Sequence, residues 1–116
     1  MPHLIMEYSN SVEERLNVTG LLEDLHQVAL KSGLFEAQDV KSRSQRYQHW
    51  LIGDNADSVD FIHVRFELLA GRGLEQKQQL SEAFMAILTD SAGQIESLTV
   101  DIRDMDKAAF LKVTSG

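Results

Sequence analysis

The chain has 116 residues, a formal net charge of −7 and no cysteine, which excludes disulfides, thiolate nucleophiles and cysteine metal sites. The length predicts a single domain over residues 1–116, and the acidic balance disfavours nucleic acid and anionic membranes as partners, since both require a positive surface. The sequence has no apolar run long enough to span a membrane and no secretory signal pattern, so we expect a cytoplasmic protein.

The first predicted strand covers residues 2–8 and begins with Pro2, the only proline in the chain. The initiator methionine is usually removed when proline follows it, and removal would leave a basic secondary amine on a rigid ring. Strands also begin with proline for purely structural reasons, because the missing N–H costs nothing there. Pro2 alone is therefore a weak indication of a catalytic base.

A helix and a basic strand are predicted next. An apolar stripe at helical spacing predicts a helix over residues 18–32, with Gly33 as its left-handed cap. His26 falls between the stripe positions, which favours a surface residue. The strand expected over residues 39–52 has no clean apolar face, so we expect it to be paired on both edges, with faces that are wet or lie at an interface.

The basic side chains of this second strand are crowded. Lys41, Arg43 and Arg46 lie within six positions of an otherwise acidic chain. A local positive site of this kind suits a small anionic ligand. The alternative is a set of solvated side chains on a strand face, which is common.

The second half of the chain repeats the order of the first. Residues 59–69 alternate as a half-buried strand, residues 74–91 have a helical apolar stripe, and residues 97–103 alternate again. This order predicts an α+β, two-layer fold of duplicated βαβ units, with a four-stranded sheet and two helices on one face. The open sheet face is most simply covered by another copy of the chain. The tail after residue 103 could add a short strand or lie on a neighbouring subunit.

The segment Gly71-Arg72-Gly73 joins the third strand to the second helix. A helix N-terminus offers free backbone donors to an anion, and Arg72 adds a planar charged group suited to a carboxylate. Taken alone, an ordinary turn with an exposed arginine is the more common explanation.

Four stretches together resemble one family. They are PHLIMEYS at residues 2–9, VKSR at 40–43, FIHV at 61–64 and AGRGLEQKQQ at 70–79. In this order they resemble the 5-carboxymethyl-2-hydroxymuconate isomerases, a branch of the tautomerase superfamily. The resemblance covers roughly residues 2–88. The opening octapeptide and the Gly-Arg-x-x-Glu helix start are its most specific parts.

The resemblance implies a tautomerase-like homotrimer with active sites near subunit interfaces. It implies an isomerase that moves a double bond in a small anionic substrate, an unsaturated hydroxy or oxo diacid, without a metal or other cofactor. The N-terminal proline would act as general base, while two basic residues hold carboxylates and polarise an oxygen. Carried over to this sequence, these catalytic residues are Pro2, Lys41 and Arg72, with Arg43, His3 and Gly71 as further substrate-binding residues.

Lys41 stands where we expect the family to have arginine. Lysine has the charge but not the two-pronged guanidinium, and Arg43 on the same strand face could substitute for it. Two alternatives therefore stay open: a tautomerase for a different enol acid, and a non-catalytic trimeric ligand-binding module on the same fold.

Overall fold

The protein is described by a computed structural model that covers residues 1–54 and 59–116. The glycine, asparagine and aspartates of residues 53–58 predict a turn between the second and third strands, and part of that turn lies outside the described residues. Short 3-10 turns at Asn10–Glu14 and Ala37–Asp39 precede the first helix and the second strand. Neither helix is long and apolar enough to cross a membrane within these ranges. In chain order the strands and helices are β1 (His3–Ser9), α1 (Val18–Lys31), β2 (Lys41–Tyr47), β3 (Phe61–Leu69), α2 (Leu74–Ala92) and β4 (Ser97–Met105).

The four strands form one mixed sheet in the order β2-β1-β3-β4. β1 pairs in parallel with β2, and β3 pairs in parallel with β4, while the two central strands β1 and β3 are antiparallel. Each parallel pair is connected through one helix, so the chain contains two βαβ units. The predicted α+β fold is confirmed.

The core lies between the two helices and one face of the sheet. Alternate side chains of the central strands, such as Met6 and Phe66, point into it and are fully buried. Phe66 stacks at a tilt on Phe84 of α2, with ring centroids 5.1 Å apart. Leu25 of α1 completes the same cluster. Both helices therefore cover one face and leave the other open.

The open face of the sheet carries charged and polar side chains that form ion pairs and hydrogen bonds with one another. Arg65 Nη1 lies 3.8 Å from Glu7 Oε1, and Arg65 Nε lies 3.2 Å from Glu67 Oε2. The hydroxyl of Tyr47 donates to Glu7 at 2.6 Å. Ile5 is 4% exposed on this same face. A polar sheet face with one buried aliphatic residue is typical of a surface that meets another protein surface.

The second strand differs from its prediction in length and in pairing. It covers Lys41–Tyr47 rather than residues 39–52, because its pairing ends where β1 ends, with Ser9 opposite Tyr47. It was expected to be paired on both edges, and this is wrong within one chain, since β2 is an edge strand. His26, expected at the surface, is half-buried and its Nδ1 lies 2.6 Å from the hydroxyl of Ser42.

A buried carboxylate, Asp60, holds the ends of three strands together. Ser9 donates to Asp60 Oδ1 at 2.7 Å, and Ser11 also donates to this oxygen. Arg15 Nη1 lies 3.1 Å from Asp60 Oδ2 and 2.9 Å from Glu96 Oε1. Glu96 in turn accepts the backbone N–H of Asp60 at 2.8 Å. This Asp60 cluster lies at the end of β1 opposite to Pro2.

Candidate functional site

Pro2 is fixed at the start of β1. Its side chain is fully buried, and its carbonyl accepts the backbone N–H of Lys41 at 3.1 Å. This bond extends the parallel pairing of β1 and β2 by one position, where proline has no N–H to leave unpaired. The start of the chain is thereby held in one place, as a general base requires.

The N-terminal amine lies in a positive environment. Burial lowers the pKa of the Met1 amine; Asp39 opposes this shift, and Lys112, Lys41 and Arg72 add to it. These side chains come from the 3-10 turn before β2, from β2 itself, from the loop before α2 and from the C-terminal tail. The fold therefore gathers cations from distant parts of the sequence around the beginning of the chain.

Arg72 follows a glycine that the loop requires. Gly71 has φ of 125°, a backbone conformation that side-chain-bearing residues rarely adopt. The Arg72 guanidinium lies 5.5 Å from the centre of the Phe35 ring, and its Nη2 donates to the carbonyl of Leu34. The stack on Phe35 and the bond to Leu34 hold the guanidinium beside the N-terminus.

An open cleft of about 340 Å³ lies between this loop and the N-terminus. It combines an apolar floor with cationic groups at its edge, which suits a small organic anion. Of the predicted site residues, Arg72 and Gly71 line it directly. Its full lining is Met1, Phe35, Leu69, Ala70, Gly71, Arg72 and Lys107.

The remaining predicted residues lie beside the cleft. Lys41 is exposed next to the N-terminus, with its Nζ donating to the carbonyl of Asp39 at 3.2 Å. Arg43 Nη1 donates to His3 Nδ1 at 3.1 Å, which leaves the imidazole as a neutral acceptor. Burial lowers the pKa of His3, and Arg43 and Lys41 lower it further. Arg43 and His3 thus form a pair with each other and do not line the cleft.

The C-terminal tail contributes residues that the sequence did not reveal. The Nζ of Lys112 lies 2.7 Å from Asp39 Oδ1 and 3.0 Å from the sulfur of Met1, and Lys107 lines the cleft. The described tail adds no further strand, and it returns to the N-terminus of its own chain. No sequence spacing connects residue 112 with residue 1, so this contact had no local signal.

Residues 1–54 and 59–116 contain no group of three or more His, Cys, Asp or Glu side chains that could hold a metal ion. The chemistry available in the cleft comes from amines, guanidinium groups and backbone donors.

A family description and a curated relative both match this chain to one family. The family description "5-carboxymethyl-2-hydroxymuconate isomerase" matches residues 2–113. The chain is 31% identical over 98 residues to the 5-carboxymethyl-2-hydroxymuconate Delta-isomerase of Escherichia coli, which covers 84% of this chain and 78% of that protein.

Solved structures agree with this match. The structure of a 5-carboxymethyl-2-hydroxymuconate isomerase from Deinococcus radiodurans R1 has a TM-score of 0.88 at 27% identity, covering 98% of this chain and 90% of that one. The Q0 fused 4-OT wild type symmetric trimer has a TM-score of 0.72 at 22% identity, over 98% and 93% of the two chains, and shares the fold. The chain therefore belongs to the 5-carboxymethyl-2-hydroxymuconate isomerase family and is an isomerase with the tautomerase fold.

Proposed function

We propose that the protein moves a double bond in an unsaturated hydroxy or oxo acid such as 5-carboxymethyl-2-hydroxymuconate, with the nitrogen of Pro2 as general base. One observation carries the proposal: a buried proline at the start of β1 lies beside a cleft edged by cations, in a chain of net charge −7. Only an anionic ligand gives such an arrangement a favourable electrostatic role.

The proposed reaction is a proton transfer within one bound molecule. After removal of Met1, the neutral amine of Pro2 takes a proton from the substrate, and the electron pair shifts along the conjugated chain. The resulting ammonium returns the proton at another carbon, so that one hydrogen and the double bonds change position while the composition of the molecule stays the same. Neither step uses a metal or an organic cofactor.

Arg72 and Lys41 are proposed to hold carboxylates and to stabilise the oxyanion that forms after proton removal. In the free protein Arg72 donates to a neutral acceptor, the carbonyl of Leu34. A substrate carboxylate is a stronger acceptor for the guanidinium than a carbonyl, because it carries a full negative charge and can accept two parallel N–H bonds. Binding would therefore draw the guanidinium from Leu34 toward the substrate.

The test is an isomerisation assay on protein that begins at Pro2. We expect conversion of 5-carboxymethyl-2-hydroxymuconate, followed by its change in ultraviolet absorbance. The variant Pro2→Gly should keep part of the activity, because a primary amine remains but is less rigidly placed. No conversion by correctly processed protein would refute the proposed substrate.

Lys41 gives one specific reason to keep a second candidate, a tautomerase for another enol acid. A lysine is a compact charge that does not hold a carboxylate in the two-pronged manner of arginine. The compound 5-carboxymethyl-2-hydroxymuconate has three carboxyl groups, one more than the diacid expected from the resemblance. A panel of enol monoacids and diacids assayed beside it distinguishes the two candidates. Higher kcat/KM for a smaller acid would favour the second candidate.

A homotrimer is proposed as the working form. Both edge strands, β2 and β4, lack a second partner strand among the described residues, and the open face carries the Glu7–Arg65–Glu67 network. Exposed edges invite pairing with a further strand. The relative described as a symmetric trimer has the same fold, which supports this assembly.

A further inference from the structure

Some basic side chains form no ion pair within the described residues, and their positions are informative. Six of the 11 basic residues lie within 4.0 Å of a carboxylate: Arg15, Arg46, Arg65, Lys77, Arg103 and Lys112. The other five, Lys31, Lys41, Arg43, Arg72 and Lys107, have no such partner among residues 1–54 and 59–116. Exposed lysine and arginine side chains without an ion pair are common, so what distinguishes this set is where its members lie.

Four of these five unpaired cations surround the N-terminus. Lys41 and Arg72 act on the Met1 amine, Arg43 contacts His3, and Lys107 lines the cleft. The fifth, Lys31, lies in the last turn of α1 and lines a different groove. The family resemblance gives Lys41, Arg43 and Arg72 roles as catalytic or substrate-binding residues. It gives no role to Lys107.

Lys107 is held beside the Gly71–Arg72 loop by the backbone. The pairing of β3 with β4 continues past its last residues, since the N–H of Ala70 donates to the carbonyl of Met105 at 3.0 Å. Asp106 then closes a turn by accepting the N–H of Ala108 at 3.0 Å. As a result, the Nζ of Lys107 lies 3.7 Å from the place where a Cβ on Gly71 would be.

The proposed substrate carries a carboxylate that Lys107 could bind. The name 5-carboxymethyl-2-hydroxymuconate denotes three carboxyl groups, two on the muconate chain and one on the carboxymethyl arm. Arg72 and Lys41 occupy the positions proposed to hold the carboxylates and oxygen that simpler enol acids share. The third carboxylate needs one more cation at the cleft edge, and Lys107 is that cation.

We propose that Lys107 binds the carboxylate of the carboxymethyl arm and so makes the site selective for tricarboxylic over dicarboxylic enol acids. This assignment rests on the proposed function for its substrate. Lys107 would contribute to binding in the ground state and the transition state alike, because a CH2 group separates the carboxylate of the arm from the conjugated chain and its charge does not change during proton transfer. Its loss should therefore change KM rather than kcat.

The test compares Lys107→Ala with the wild type on 5-carboxymethyl-2-hydroxymuconate and on 2-hydroxymuconate, which lacks the arm. We expect KM for the first compound to rise by about tenfold or more, since a hydrogen bond between charged groups is worth roughly that factor. KM for 2-hydroxymuconate and kcat for both compounds should change by less than about twofold, which is less than the effect of losing one such hydrogen bond. Lys107→Arg should retain the wild-type preference.

Lys31→Ala is the matched control, because it removes the one unpaired lysine that is remote from the cleft. It should change neither KM. An equal rise in KM for both compounds with Lys107→Ala, or no rise for either, would overturn the assignment.

A binding measurement separates this assignment from the proposed function. If processed wild-type protein isomerises neither compound, the proposed function fails, and titration calorimetry with propane-1,2,3-tricarboxylate and pentanedioate then tests Lys107 alone. The assignment holds if Lys107→Ala weakens binding of the tricarboxylate by about tenfold and leaves pentanedioate unchanged. Tricarboxylate binding that is the same in wild type and variant would refute it.

Discussion

At Pro2, burial and neighbouring charge would determine whether the nitrogen is a base or an ammonium ion. A charged amine is poorly solvated where the proline ring is fully buried, and Lys41, Arg72 and Lys112 disfavour a further positive charge. Asp39 acts in the opposite direction but is itself paired with Lys112 at 2.7 Å. We therefore expect the pKa of the processed Pro2 amine to be lowered, in the same direction as that of Met1.

Arg72→Ala tests the proposed anion contact. We expect kcat/KM to fall by the equivalent of about two to four kcal/mol, the usual cost of losing one charged contact to a transition state. Stability should change by less than about 1 kcal/mol, because the side chain is exposed and its described contacts are the Phe35 ring and one hydrogen bond to the carbonyl of Leu34. Steady-state kinetics and urea unfolding measure the two effects. Unchanged kcat/KM would move the anion site to Arg43.

Lys41→Arg tests the residue at which this chain departs from the arginine expected in the family. The exposed side chain has room for a guanidinium, and its only described hydrogen bond is to the carbonyl of Asp39. We expect kcat/KM to rise, because arginine can hold a carboxylate with two parallel hydrogen bonds. A fall in kcat/KM on the same substrate would show that lysine is suited to this site.

The helices and strands were largely predictable from local patterns, and their ends were not. Alternation located β3, and the apolar stripe located α2, because one face of each is buried. The end of β2 at Tyr47 depends on where β1 ends, which is a property of the partner strand. Lys107 and Lys112 were missed for a related reason, since only tertiary contacts bring the tail back to the N-terminus.

The Asp60 cluster predicts a loss of stability in acid. The backbone N–H of Asp60 and the Arg15 side chain lower the pKa of Glu96 from 4.5 to about 2. For Asp60, burial raises the pKa, but hydrogen bonds from Ser11, Ser9 and Arg15 outweigh it and the net shift is downward. A carboxyl with a lowered pKa in the folded state stabilises it above the unfolded pKa, and this contribution is lost as pH falls through the folded pKa.

Urea unfolding at fixed protein concentration, measured from pH 7 to pH 2, checks this expectation. The wild-type midpoint should fall most steeply between pH 4.5 and about 2, the range set by the two pKa values of Glu96. Glu96→Gln should be less stable at pH 7 and should lose less on acidification. Parallel curves for the two proteins would contradict the assignment to Glu96.

The whole molecule combines a negative net charge with a positive cleft and an uncovered sheet face. Ion pairs account for six of its 11 lysine and arginine residues, and of the other five, Arg72 and Lys107 line the N-terminal cleft. The sequence predicted a small anionic ligand from the basic residues crowded in the second strand. It did not show that these residues come close to the C-terminal tail in the folded chain. The open face followed from two helices on one side of a four-stranded sheet.

The proposed association into trimers would use the strand edges β2 and β4, which have no further partner strand among the described residues. Light scattering at several concentrations should give a mass near three times 13.1 kDa. Arg65→Glu reverses the charge in the middle of the open-face network, beside Glu7 and Glu67, and should shift the protein toward smaller species. A wild-type monomer at micromolar concentration would contradict the proposed assembly.

The most direct test of Pro2 as the base compares protein that begins at Pro2 with protein that keeps Met1, with intact mass confirming each form. The two forms have the same lysine and arginine side chains and differ only in Met1, which lines the cleft when it is retained. Only the processed form has a free secondary amine at Pro2. We predict that the processed form isomerises substrate and shows an ascending limb in kcat/KM against pH, below the ordinary range of an α-amine. The form that keeps Met1 should bind anions without isomerising them, and equal activity in the two forms would rule out the Pro2 amine as the base.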